Sequence, residues 1–128
     1  MTRSVIEVVD DNEDIRRMLA LVLESRGHVV RQHASAQAYL QAEPSSAPHA
    51  MLLDMRMPDM TGLELLAQMK ARGDTIPVIF MSGESQAHET DQITAGDALD
   101  FLWKPFGTQQ LLQSLERALG TAAKTRSD

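Results

Sequence analysis

Short apolar, β-branched runs alternate along this chain with stretches of helical period, and most of the runs stop on polar or charged residues. Ser4–Val9 (SVIEVV) ends in Asp10 and Asp11, and Met51–Leu53 delivers Asp54 and then stops in the loop MRMPDMTG. Pro77–Met81 (PVIFM) ends on Ser82 and Gly83, while Leu99–Trp103 (LDFLW) runs into Lys104 and Pro105. His28–Gln32 is a shorter run of the same kind. Apolar runs of four to eight residues bounded by turn formers suit strands buried on both faces.

The intervening segments read as helices. Ile15, Met18, Leu19, Val22 and Leu23 recur at helical spacing behind Asp11 or Asn12 as cap, and Gly27 ends that stretch. Ser35 caps a short helix reaching Gln41, and Glu43–Pro48 is a surface connection. Leu63–Arg72 carries Leu63, Leu66, Ala67 and Met69 on one side and closes at Gly73. Gln86–Ala95 is only weakly amphipathic, which predicts a loosely held helix. Thr108 caps a last helix with Leu111, Leu112, Leu115, Ala118 and Leu119 on its buried side, ended by Gly120. Five strands alternating with five helices imply an α/β domain over residues 1–120: a parallel sheet with right-handed crossovers and helices on both faces. Residues 121–128 are small and polar, as in a flexible tail or the start of a linker.

A chain of 128 residues suffices for one core and leaves no room for a second domain. Without cysteine it has neither a disulfide framework nor a thiolate metal site. Its formal charge of −6 argues against direct nucleic-acid binding and favours cationic ligands. No stretch approaches the ~20 apolar residues of a membrane span, so a soluble, cytoplasmic protein is expected. The four histidines (His28, His33, His49, His88) lack ligand spacing and are read as surface residues.

In a parallel sheet every strand's C-terminal end lies on one edge, so Asp10, Asp11, Asp54, Ser82 and Lys104 would gather there. A lone Asp after a strand often only caps the next helix; the gathering is what gives Asp54 chemical meaning. Clustered carboxylates repel unless a cation neutralises them, and magnesium, a hard ion that takes carboxylate and phosphate oxygens, is the natural one. A carboxylate can attack a phosphoryl group while the metal and an ammonium take up charge on the phosphoryl oxygens. Asp54, a metal and Lys104 supply those parts, with the Ser82 hydroxyl and the Gly83 amide as donors to the phosphoryl group.

These residues fall into motifs: the acid pair after the first strand, D-x-x-M-P-x-x-x-G from Asp54 to Gly62, S-G after the fourth strand, and F-x-x-K-P-F from Phe101 to Phe106. On them the chain resembles, over essentially its whole length, the receiver domain of two-component response regulators, the CheY-like superfamily. The resemblance implies a flavodoxin-like sheet of order 2-1-3-4-5, phosphotransfer from a phosphohistidine on a sensor kinase to Asp54, and self-catalysed hydrolysis. It also implies that Asp11 and Asp54 bind magnesium directly, Asp10 mostly through water and Arg56 through its backbone carbonyl. Lys104 would pair with the phosphoryl group, its bond to Pro105 being cis. Ser82, where Thr is more frequent, would move toward the phosphoryl group and let Phe101 turn inward. That motion would repack the face of the fourth helix, fifth strand and fifth helix that meets an output domain or partner.

Three further readings belong to particular residues. Arg56 and Glu84 would face each other across the acyl phosphate and impede the hydrolytic water, or else form a solvated ion pair. Trp103 either contacts a partner or is buried under the last helix. Met51, Met55, Met57 and Met60 serve as adaptable packing. The expected whole is a phosphoacceptor switch and not a metabolic enzyme, with a sensor kinase or phosphotransfer protein as donor and a phosphorylation-dependent dimer compatible with it. Its rivals are a magnesium-dependent phosphohydrolase, for which no insertion is long enough to make a lid, a flavin carrier, and a degenerate receiver. Acids after the first strand would repel a flavin phosphate.

Overall fold

The computed structural model describes residues 4–43, 49–83, 100–104 and 106–127. Five strands, β1 (Val5–Val9), β2 (Val29–His33), β3 (His49–Asp54), β4 (Val78–Gly83) and β5 (Asp100–Lys104), form one sheet of order β2-β1-β3-β4-β5. Every pairing is parallel. The helices are α1 (Glu13–Ser25), α2 (Ala36–Gln41), α3 (Gly62–Ala71) and α4 (Thr108–Ser127), the last being the fifth helix of the sequence reading. The helix expected over 86–95, together with Glu84 and Pro105, lies outside the described residues.

The sheet is continuous in hydrophobicity because both its faces are covered. Ile6, Val8, Leu52, Ile79, Met81 and Leu102 pack against Leu19 and Leu23 of α1 and Leu111, Leu115 and Ala118 of α4. Val9, Met51, Leu53 and Phe80 point the other way, onto Ala36 and Tyr39 of α2 and Leu65 and Met69 of α3. Adjacent residues such as Leu52 and Leu53 thus serve opposite layers, as the two-residue period of a strand requires. Full burial of each large side chain stabilises by roughly 1.5–3 kcal/mol.

Local signals set the helix ends. Asn12 Oδ1 accepts from the Asp14 amide at 2.9 Å and the Ile15 amide at 3.2 Å, which makes it the cap of α1. Thr61 and Glu64 form a reciprocal capping box at the start of α3. Gly27 and Gly73 follow α1 and α3 with φ of 89°, the left-handed conformation glycine adopts without strain.

Three details depart from the sequence reading. The last helix passes through Gly120 to Ser127, because the glycine costs only about 1 kcal/mol relative to alanine and no proline follows to stop the helix. The buried stripe of α1 is narrower than its spacing suggests, with Met18 42% exposed. The strand after α1 begins at Val29, whose amide bonds to the Ser4 carbonyl at 2.9 Å, and carries His33 into the interior.

Candidate functional site

The register carries the chemistry to one edge. Val9 lies opposite His33 and Leu53, Asp54 opposite Met81, and Gly83 opposite Lys104. The residues that follow or end these strands therefore emerge together. Carboxylate oxygens of Asp10 and Asp11, from the loop after β1, and of Asp54, at the end of β3, all lie within 4.8 Å of one another. Lys104 Nζ stands 3.0 Å from Asp10 Oδ2 and 3.6 Å from Asp54 Oδ1. Asp10 and Asp54 are buried, Lys104 is partly exposed and Asp11 faces solvent.

Backbone bonds fix this cluster. The Asp10 amide donates to the His33 carbonyl at 3.2 Å, and the Met55 amide to the Met81 carbonyl at 2.9 Å. Asp10 Oδ1 accepts from the Asn12 amide at 2.9 Å, while Arg16 Nη1 donates to the Asp10 carbonyl at 2.7 Å. Asp54 Oδ1 takes the Arg56 amide at 3.3 Å. Gly62 closes the β3–α3 loop by donating to the Met55 carbonyl at 2.9 Å. A Cβ there would stand 2.8 Å from the Asp54 carbonyl oxygen and 2.9 Å from Phe80 Cε1, so only glycine fits without displacement.

Electrostatics at the site are unbalanced. Burial and the neighbouring Asp10 carboxylate push the Asp54 carboxyl up to about 7, against the Lys104 ammonium and the Arg56 amide, with Asp11 adding to the rise. One ammonium does not neutralise three carboxylates. The donor set consists of hard oxygens without imidazole or thiolate, and so suits a hard divalent cation such as magnesium. Asp10 already uses both oxygens, one on the Asn12 amide and one on Lys104, which leaves Asp11 and Asp54 better placed for direct coordination.

The remaining residues of the sequence reading are placed as follows. Ser82 is fully buried at the end of β4, its hydroxyl 3.4 Å from the Gly83 carbonyl. Phe101 is half-buried on β5, its ring 4.7 Å from Trp103 and 6.5 Å from Phe80. Trp103 is thus neither free nor fully covered: it lies against Phe101 on the same side of the strand. The Arg56 side chain is exposed on the loop beyond Asp54, and its suggested partner Glu84 falls outside the described residues. Met51, Met55 and Met57 pack in the core, as adaptable packing requires.

The sequence reading missed two groups. His33 is not a surface residue: it is buried, with Nε2 2.8 Å from Glu7 Oε1, and Arg31 Nη1 reaches Glu7 Oε2 at 3.0 Å. Glu7 interrupts an apolar run and sits 1% exposed between them, a buried carboxylate sustained by such partners. The available signal was a charge at the centre of a strand otherwise buried on both faces. Asp59 was the second: from the loop beyond Asp54, its Oδ2 accepts the Gln37 amide at 2.8 Å.

Comparison with known proteins agrees with this geometry. The family model described as response regulator receiver domain matches residues 6–116. The chain is 35% identical over 118 residues to the transcriptional regulatory protein FixJ of Rhizobium meliloti (strain 1021), covering 92% of this chain and 58% of that protein. It is also 35% identical over 125 residues to the response regulator protein TodT of Pseudomonas putida F1, covering 98% of this chain and 55% of that one. It therefore spans little more than half the length of these curated relatives. Among solved structures, the crystal structure of FixJ-N superposes with a TM-score of 0.82 at 35% identity, covering 94% of this chain and 96% of that one. Full-length FixJ from B. japonicum superposes at 0.89 with 33% identity, covering 99% and 63%.

Proposed function

Since the chain belongs to the response regulator receiver family of two-component systems, we propose that it accepts a phosphoryl group on Asp54 from a phosphohistidine of a sensor kinase or phosphotransfer protein. The single observation that carries this reading is the approach of Lys104 to Asp10 and Asp54 beside three clustered carboxylates. An ionised Asp54 oxygen attacks phosphorus in line with the N–P bond, which breaks and leaves its electron pair on the donor imidazole. Asp11, Asp54 and the Arg56 carbonyl would hold magnesium, with Asp10 beside them. When bound, the ion would supply positive charge against the acidic edge and the phosphoryl oxygens. Lys104 turns its ammonium from the carboxylates to a phosphoryl oxygen, and the Ser82 hydroxyl and Gly83 amide donate to the others.

The modification brings roughly −1.5 to −2 charges to the site. Ser82 moves toward them, Phe101 turns into the space vacated, and the surface of β5, α4 and the preceding segment changes its packing for an output domain or partner, with Trp103 as a contact. Dimerisation through this surface fits the same switch. Water attacking the acyl phosphate resets the protein, so the activity is confined to its own modification and no metabolite is turned over. A cytoplasmic location accords with this role; among the described residues no helix is long and apolar enough to cross a membrane.

Intact mass after incubation with a small phosphodonor and magnesium tests the proposal. Wild type gains one phosphoryl group, and Asp54→Asn and magnesium-free wild type gain none. Equal labelling of Asp54→Asn, or rapid multiple turnover of unrelated phosphate esters, refutes it.

A further inference from the structure

The two loops that would hold the ion are joined by a segment that touches neither the ion nor the phosphoryl group. Asp10 is tied through its amide to the carbonyl of His33, the last residue of β2. Two residues on, Ser35 caps α2, accepting the Ala38 amide at 3.0 Å. That leaves earlier amides of the helix to find other acceptors. Asp59 supplies one from the β3–α3 loop, its Oδ2 2.8 Å from the Gln37 nitrogen across 22 residues of chain. The circuit from Asp10 through His33, the start of α2 and Asp59 returns to Asp54 and Arg56.

We propose that Asp59 is a positioning residue for the ion site: by capping α2 from outside, it fixes the β3–α3 loop, and with it the Arg56 carbonyl, relative to the Asp10–Asp11 loop. The loop has other anchors at its ends, in the Gly62–Met55 bond and the Thr61–Glu64 box, and Met57 is buried against the core. Arg56, Pro58 and Asp59 themselves are exposed, so this stretch of the loop takes a polar hold on α2 from Asp59. Burial raises the Asp59 carboxyl, but the amides of Gln37, Asp59, Ala36 and Met60 together bring it below its usual value, as a carboxylate facing a helix start should be. This inference rests on the magnesium-dependent reading of the site.

Calorimetric titration of the whole chain with magnesium tests it. Asp59→Ala weakens magnesium binding about tenfold, the low end of what partners of metal-ligating groups contribute. Asp59→Asn keeps an acceptor oxygen in place without the charge and stays within about twofold of wild type, whereas Asp59→Glu keeps the charge, displaces the oxygen and falls with Ala. In phosphorylation by a small donor, Asp59→Ala loses rate at low magnesium and recovers it at saturation. If Asn falls as far as Ala, the carboxylate acts by charge and the positioning role is wrong; if all three match wild type, the hold on α2 is irrelevant to the ion. Failure of the underlying reading looks different: wild type itself takes up no magnesium, or Asp11→Asn binds it as wild type does, and the inference falls with it.

Discussion

Removing the charge of the proposed phosphoacceptor should stabilise the fold in the absence of metal, and by an amount that depends on pH. In the folded chain the Asp54 carboxyl is pushed from 3.8 up to about 7, chiefly by burial and then by Asp10. A carboxyl raised on folding binds its proton more tightly in the native state, so stability falls as pH rises between these two values and the full cost is present above about 7. Three units correspond to a ceiling of about 4 kcal/mol. Asp10, Asp54 and Lys104 share the charge, which brings the expected effect to about 2 kcal/mol. Asp54→Asn should therefore unfold about 6–8 °C above wild type at pH 8 in a chelator, a shift appropriate to a domain of this size. At pH 4 the difference should vanish, because wild type then carries the proton. Millimolar magnesium should raise wild type at pH 8 and Asp54→Asn much less. Urea or thermal unfolding at the two pH values, with and without magnesium, measures all of this. If the variant's advantage at pH 8 in chelator is absent, or as large at pH 4, the charge conflict at Asp54 is not what burial and geometry imply.

Two further outcomes concern the frame around the site. Glu7→Ala leaves the buried His33 and the Arg31 guanidinium without their carboxylate and should cost about 3–5 kcal/mol, the range for breaking one side of a buried pair; chemical unfolding at neutral pH checks it, and a loss below 1 kcal/mol would mean the partners find water instead. Gly62→Ala forces a methyl group against the Asp54 carbonyl and Phe80 and should cost about 1–3 kcal/mol by overpacking. It should also slow phosphorylation of Asp54, which a Gly120→Ala control, with open space around its Cβ position, should not do.

The sheet and its acidic edge were legible because they depend on signals local in sequence. Apolar runs ending in Asp10, Asp54, Ser82 and Lys104 specify buried parallel strands and place their ends together, whatever the details of packing. Helix ends were legible where a side chain or a left-handed glycine determines them, as at Asn12 and Gly27. Gly120 was misleading because a glycine ends a helix only when the chain beyond it turns away, and that depends on surroundings the sequence does not display. Glu7 and His33 were hidden for a related reason. Each looks like a polar interruption until the β1–β2 pairing sets Glu7 opposite Arg31, with His33 two residues further along β2 within reach of the same carboxylate. Asp59 bonds to a backbone amide, and a backbone amide has no identity in the sequence; nothing in residues 35–37 announces that Gln37 needs an acceptor from a distant loop.

The position of Lys104 gives the site its direction of response. In the structure it sits closer to Asp10 than to Asp54, between two buried carboxylates that repel each other. Under the proposed reading a divalent ion held by these carboxylates would take over part of that duty, so that Asp54 would stay ionised near neutral pH and the Lys104 ammonium would be available to an incoming phosphoryl oxygen. By linkage, an ion that binds only the folded site adds about 2.7 kcal/mol to stability at a hundred times its dissociation constant, comparable to what the uncompensated charge removes. The strain of the metal-free edge and the affinity for metal both depend on the same carboxylates. Lys104→Met separates them: without the ammonium the Asp54 proton should be held more tightly still in chelator, while magnesium, no longer competing with a fixed positive charge, should bind more tightly than to wild type. Weaker magnesium binding by Lys104→Met would show that the ammonium organises the carboxylates instead of competing for them.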